Sequence, residues 1–276
     1  MGNRGLGMYG DWLYFMTPDC WFLSLNAKNG KERWRKKVAD EKMQYFCTMS
    51  PLVVKNHILV GVGGDAMDVP GFLESRDPET GEVQWRWNTT PRKSEPGADT
   101  WPNPQAMEHG GGMTWMPGTY DPELNLIYWG TGNPNPVFAG QGRVGANLWT
   151  ASIVALHADT GKLVWYHQPS PHDTHDWDNV ETPVLIDGRL QRTAPQDAGP
   201  GGPQWDLHLA RPHQRREPHH QGVYRRQLDE GVDAKGQPIP DPAKEPKIDG
   251  RSSTLPAAAA RTGLRPVTVP RLGFSM

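Results

Sequence analysis

Three stretches of the chain share one pattern of apolar and polar positions. They are LNAKNGKERWRKKV (25–38), RDPETGEVQWRWNT (76–89) and LHADTGKLVWYHQP (156–169). In each, a polar pair precedes a glycine and a tryptophan follows it four residues later: Gly30 and Trp34, Gly81 and Trp85, Gly161 and Trp165. The Asn-Gly and Thr-Gly steps are hairpin-turn chemistry, because glycine supplies the positive φ that a tight turn demands. Apolar runs such as WFLSL and ASIVAL lead into these turns, so the predicted unit is strand, tight turn, strand with a Trp at a fixed offset. SPLVVKNHILVGVGG and YDPELNLIYWGTGN predict further hairpins between the copies.

Gly30 to Gly81 is 51 residues, and Gly81 to Gly161 is 80, room for one unit plus an inserted loop. Repeats of about 40–50 residues with four strands each are the mark of a β-propeller. The fold class predicted is therefore all-β, a partial β-propeller over residues 1–187, with a long irregular insertion at 90–113. A tryptophan at one offset gives each blade a flat ring to wedge against the next. The rival is a β-sandwich whose turns recur by coincidence. Three or so blades cannot close a ring, so a piece of a longer chain is expected.

Composition narrows the function classes. A net charge of −2 over 276 residues gives no global field for nucleic acid or an anionic membrane. No apolar run reaches the roughly 18 residues of a membrane span, and the first residues lack the pattern of a secretory signal. Cys20 and Cys47 are too few for a disulfide framework, and each lies in strand-like sequence. Buried thiols are expected rather than a disulfide.

The repeats, with NRG at 3–5, GGGMTWMPGTYDPELNLIYWGTGNPNP at 110–136 and SPHDTHDWD at 170–178, resemble the pyrroloquinoline-quinone (PQQ)-dependent alcohol dehydrogenases of the methanol/ethanol type. The resemblance runs through about residues 2–187. It implies an eight-bladed quinoprotein propeller with PQQ and a metal ion, usually Ca²⁺, on its axis. It also implies a periplasmic location, a primary alcohol as substrate and a cytochrome c as electron acceptor. Arg4 matches an arginine that binds a quinone carboxylate, the use to which a bidentate cation is suited. Thr48 matches a hydroxyl that hydrogen-bonds the cofactor. Trp115 matches the indole on which the flat quinone lies, and Asn133 a carbonyl ligand of the metal. Taken singly, Trp115 reads as core, Asn133 as a turn residue and Arg4 as a surface charge.

The departures bear on the chemistry. The family's carboxylate ligand of the metal falls at Ala66, with Asp65 and Asp68 beside it. Its general base, the Asp before the SIVAL strand, falls at Ala146, and a methyl group accepts no proton. Leu148 stands where lanthanide-using members have a further Asp. The adjacent-cysteine disulfide of the family would lie upstream of Met1. Little or no activity is expected of these residues alone, and the alternative function is a non-catalytic propeller scaffold that binds another protein. In SPHDTHDWD, the histidines and aspartates suggest a metal cluster, but a hydrogen-bonded turn between blades is the expectation.

Beyond Arg189 the pattern collapses. Residues 189–228 hold seven Arg and no Lys, with little strand periodicity. GVDAKGQPIPDPAKEPKIDG (231–250) again looks like a family loop, and 251–276 departs once more. Shifting the reading of possible codons turns LQRT into Asp-Phe-Asn-Gly and RPHQRREP into a Thr-Asn-Gly turn. Segments 188–230 and 251–276 are therefore expected to be out-of-frame translation, irregular or disordered for want of apolar residues. On that reading the run ARPHQRREPHHQG (210–222) is neither a ligand set nor a nucleic-acid arm.

Overall fold

The computed structural model describes residues 2–64 and 67–186, with short pieces at 209–210, 229–232 and 238–242. Its body is three four-stranded antiparallel sheets, each a meander in chain order. The first joins β1 (Gly7–Tyr9), β2 (Trp12–Met16), β3 (Trp21–Asn26) and β4 (Glu32–Lys37). The second joins β5 (Leu52–Val54), β6 (His57–Gly61), β7 (Phe72–Arg76) and β8 (Val83–Asn88). The third joins β9 (Thr119–Asp121), β10 (Leu126–Gly130), β11 (Ile153–His157) and β12 (Leu163–His167). These are three successive blades of a β-propeller.

The repeat in the sequence is a repeat in the backbone. Each blade's last strand pair slips register at one equivalent place, Ser24/Leu25, Ser75/Arg76 and Ala155/Leu156. Each turn closes where the glycine N–H donates back four residues, Gly30 to Asn26 O, Gly81 to Asp77 O and Gly161 to His157 O, at 2.8–2.9 Å. The turn is thus wider than a two-residue hairpin. Asn26 and Asp77 hold its bend by accepting backbone N–H groups on their side-chain oxygens, as Asx turns do.

The fixed Gly-to-Trp offset locks neighbouring blades. A Cβ on Gly81 would sit 2.8 Å from the Trp34 ring, and one on Gly161 would sit 2.4 Å from the Trp85 ring. Only a glycine lets each ring lie flat on the next blade's turn. Trp85 adds a hydrogen bond from Nε1 to Ala158 O, 2.9 Å.

The middle blade is buried on both faces, so strict alternation gives way to continuous burial along β6 and β7. Ile58, Val60 and Phe72 pack toward the first blade with Tyr14, Met16 and Phe22. Leu59 and Leu73 pack toward the third with Ile127, Trp129 and Leu156. Glu74, fully buried in β7, is held on one oxygen by Arg76 Nε at 2.8 Å and on the other by Arg86 Nε at 2.7 Å. Buried charge persists only when paired in this way.

Two expectations change. The insertion at 90–113 is not wholly irregular: α1 (Pro104–Glu108) starts at Asn103, whose Oδ1 accepts Ala106 N–H at 2.9 Å, with Pro104 in the first turn. Cys20 and Cys47 are not free thiols. They form a disulfide with Cα atoms 5.0 Å apart, inside the core shared by the first two blades.

Segments 188–230 and 251–276 lie outside the described residues except for Leu209–Ala210, which pairs parallel with Leu185–Ile186, and residues 229–230. At the start of the family-like stretch, Asp229–Val232, which begins two residues before it, pairs antiparallel with Pro238–Pro240.

Candidate functional site

Three of the residues singled out in the sequence converge. Arg4 donates its backbone N–H to Thr48 O at 2.9 Å, and its guanidinium Nη1 donates to the Thr48 hydroxyl. The same guanidinium lies 4.8 Å from the centre of the Trp115 ring, a cation–π contact. Thr48 is buried and Arg4 exposed, so the threonine fixes the base of the cation and leaves its outer donors toward solvent.

Thr48 is held from behind. Its neighbour Cys47 is tied by the disulfide to Cys20, and Cys47 N–H donates to Pro18 O at 3.1 Å. Phe46 pairs with Gly63 through an isolated bridge, which aligns the segment with the second blade. Trp115 follows Thr114, whose N–H donates to Val62 O at 2.9 Å and whose hydroxyl accepts Val62 N–H at 3.1 Å. Its ring packs on the first core, and its Nε1–H is buried with no hydrogen-bond partner among the described residues.

Asn133 lies apart from this trio in the bonding network. It is buried, and its Oδ1 accepts Asp178 N–H at 3.1 Å while its Nδ2 donates to the Asp176 carboxylate. Because a backbone N–H can only donate, that contact assigns the amide's orientation. Ala146 is half-buried in the loop before β11, and its carbonyl accepts Gln168 Nε2 at 2.8 Å and His172 N–H at 3.2 Å. Buried Arg143 clamps this loop by donating to Pro136 O, Val137 O and Asn147 Oδ1. The backbone around the base position is firmly built, and the side chain there ends at a methyl. Ala66 and Asp65 lie outside the described residues.

SPHDTHDWD packs as a hydrogen-bonded loop. Asp173 accepts His175 N–H and Trp177 N–H on its two oxygens, and His172 Nδ1 donates to Gly145 O at 3.0 Å. Among the described residues, no three His, Cys, Asp or Glu side chains group closely enough to hold a metal ion. Asp176, read in the sequence with the other histidines and aspartates of this turn, also touches Asn133, whereas sequence reasoning passed over Asn135, whose buried amide has no hydrogen-bond partner for either Oδ1 or Nδ2 among the described residues. The signal for Asn135 lay in NPNP, where the asparagines alternate.

Residues 36–196, more than half of the chain, match the PQQ family, described as glucose/ethanol/alcohol dehydrogenase, beta-propeller domain. The chain belongs to this family. Over 194 residues it is 37% identical to the quinoprotein alcohol dehydrogenase PedH of Pseudomonas putida, covering 64% of this chain and 32% of PedH. It is 36% identical over 203 residues to a lanthanide-dependent methanol dehydrogenase of Methylacidiphilum fumariolicum, covering 67% and 33%. The solved quinohemoprotein alcohol dehydrogenase of Comamonas testosteroni aligns with a TM-score of 0.72 at 30% identity, over 89% of this chain and 39% of that one. The chain thus spans about a third of the length of these curated relatives.

The residues present fit part of what a PQQ-binding family implies. A flat anionic quinone would meet an indole face, an indole N–H without a partner among the described residues, a hydroxyl and a guanidinium. A metal is served less well. Asn133 offers one neutral oxygen already accepting a hydrogen bond, against the six to eight oxygens that Ca²⁺ gathers.

Proposed function

We propose that this chain is part of a PQQ-dependent alcohol dehydrogenase acting on a primary alcohol in the periplasm, with metal assistance and a cytochrome c as electron acceptor. The observation that carries the reading is the meeting of Arg4, Thr48 and Trp115. When bound, the quinone supplies the hydride acceptor. Arg4 would bind a carboxylate of it through the guanidinium donors that Thr48 leaves free. Thr48 orients the cation, Trp115 would form the floor, and Asn133 Oδ1, which accepts Asp178 N–H, would have its second lone pair for the metal. The Cys20–Cys47 disulfide supports an oxidising compartment, as the periplasm is.

The alcohol's proton needs an acceptor, and the family's base position holds Ala146. These 276 residues are therefore expected to bind quinone without turning over alcohol. The test is a titration of the chain with PQQ, followed by quenching of indole fluorescence, beside dye reduction with a primary alcohol. Saturable quenching that weakens about tenfold or more in Arg4→Ala, through loss of a charge-assisted pair, is the expected result. No quenching at any concentration overturns the reading. The Ala146 methyl favours a second reading, a propeller that serves as a protein-binding scaffold, and that reading predicts no quenching at all.

A further inference from the structure

We propose that Asn29 is a site of spontaneous modification, at which the chain deamidates and converts the turn of its first blade to aspartate and isoaspartate. The inference rests on the blade turns and is independent of the quinone reading.

Asn29-Gly30 is the only Asn-Gly step among the 276 residues. The other two turns carry Thr80 before Gly81 and Thr160 before Gly161. Ring closure needs a carboxamide and, after it, a residue with no side chain to obstruct its backbone nitrogen. Among the three turns the first alone supplies both. Its surroundings differ as well. Gly81 and Gly161 are buried under the rings of Trp34 and Trp85, whereas residues 27–32 are all exposed and a Cβ on Gly30 would meet nothing within 4 Å. The Asn29 amide is also polarised in place. Lys31 N–H donates to its Oδ1 at 2.9 Å, which supports negative charge building on that oxygen.

The reaction begins when Gly30 N–H leaves its 2.8 Å hydrogen bond to Asn26 O and gives its proton to hydroxide. The nitrogen attacks Asn29 Cγ, the Cγ–Nδ2 bond breaks, and ammonia leaves with a proton from water. Water then opens the cyclic imide at either carbonyl. The net change is a hydrolysis, with no oxidant or reductant. Either product sets a carboxylate between Lys28 and Lys31. Isoaspartate also adds a carbon to the main chain inside the loop that Gly30 N–H and Asn26 O close, so that closure is lost.

The test incubates the full folded chain in mildly alkaline buffer, read by peptide mass spectrometry and by enzymatic methylation of isoaspartate. Asn29 should convert steadily, faster as pH rises, and the conversion should be lost in Asn29→Thr, which copies the other two turns. Thr160→Asn separates structure from motif. It builds the same step under the Trp85 ring, where Lys162 N–H already meets the Thr160 hydroxyl at 3.3 Å. That variant should stay intact at position 160 while folded and convert once unfolded in guanidinium chloride. An intact Asn29 in the folded chain, while a free peptide of residues 25–38 converts, would overturn the proposal. Equal conversion at positions 29 and 160 in the folded variant would overturn it too, because exposure of the first turn would then decide nothing.

Discussion

Tyr45, two residues before the disulfide, has its hydroxyl donating to Pro70 O at 2.6 Å and its ring set edge-on to Phe72. Burial pushes its pKa up to about 12, with the charge of Arg86 opposing. A phenol whose pKa is raised in the fold contributes stability that is present below its unfolded value, near 10, and is lost as pH climbs through the folded one. The urea midpoint should therefore fall between about pH 10 and 12, and fall less steeply in Tyr45→Phe. Some decline should remain, because burial raises Tyr14 as well. An equally steep fall in Tyr45→Phe would show that the phenol is not responsible. At this scale the sequence was legible where a motif carried the residue. Arg4 and Trp115 were named from NRG and MTWMPG, Thr48 from its match to a family hydroxyl, and they meet. The Cys20–Cys47 bond was not legible, because 27 residues of separation say nothing about a Cα distance of 5.0 Å. Asn135 was hidden because asparagine beside proline reads as a turn.

Between elements, the tryptophan locks make a prediction that separates strain from crowding. Gly30 and Gly161 have nearly the same positive φ, +70° and +66°, but a Cβ on Gly30 meets nothing within 4 Å, whereas on Gly161 it meets Trp85. Gly30→Ala should cost about 1 kcal/mol, the penalty of a left-handed residue. Gly161→Ala should cost roughly 3 kcal/mol, because overpacking is added. Denaturant unfolding of the two variants measures the difference, and equal losses would mean that the lock carries no energy. The Gly and Trp spacing made these elements visible in advance. The short helix at Pro104–Glu108 was not visible, because five residues carry too little helical periodicity. The middle blade also gives little alternation, since both of its faces are buried.

For the molecule as a whole, the disulfide is a covalent tie from the β2–β3 turn to the segment that enters the second blade. Closing a loop of that length contributes about 3 to 4 kcal/mol by chain entropy. Cys20→Ser with Cys47→Ser, or reduction, should lower the unfolding free energy by that order and weaken quinone quenching through Thr48. Unchanged quenching in the reduced chain would detach the bond from the site. The architecture was legible because propeller blades repeat. The loops that carry Asn133, Asp176 and Ala146 do not repeat, and their meeting depends on contacts between residues more than 40 positions apart, as from Asn133 to Asp176.

The locks also have a direction. Each tryptophan belongs to the earlier blade and each receiving glycine to the later one, so the contact is head-to-tail and no blade can pair with a copy of itself by the same surfaces. A step of that kind, applied again and again with one rotation, can only wind onward or come round to meet its own beginning. Order along the chain is therefore order around the axis for the three blades, since Trp34 reaches forward to Gly81 and Trp85 to Gly161.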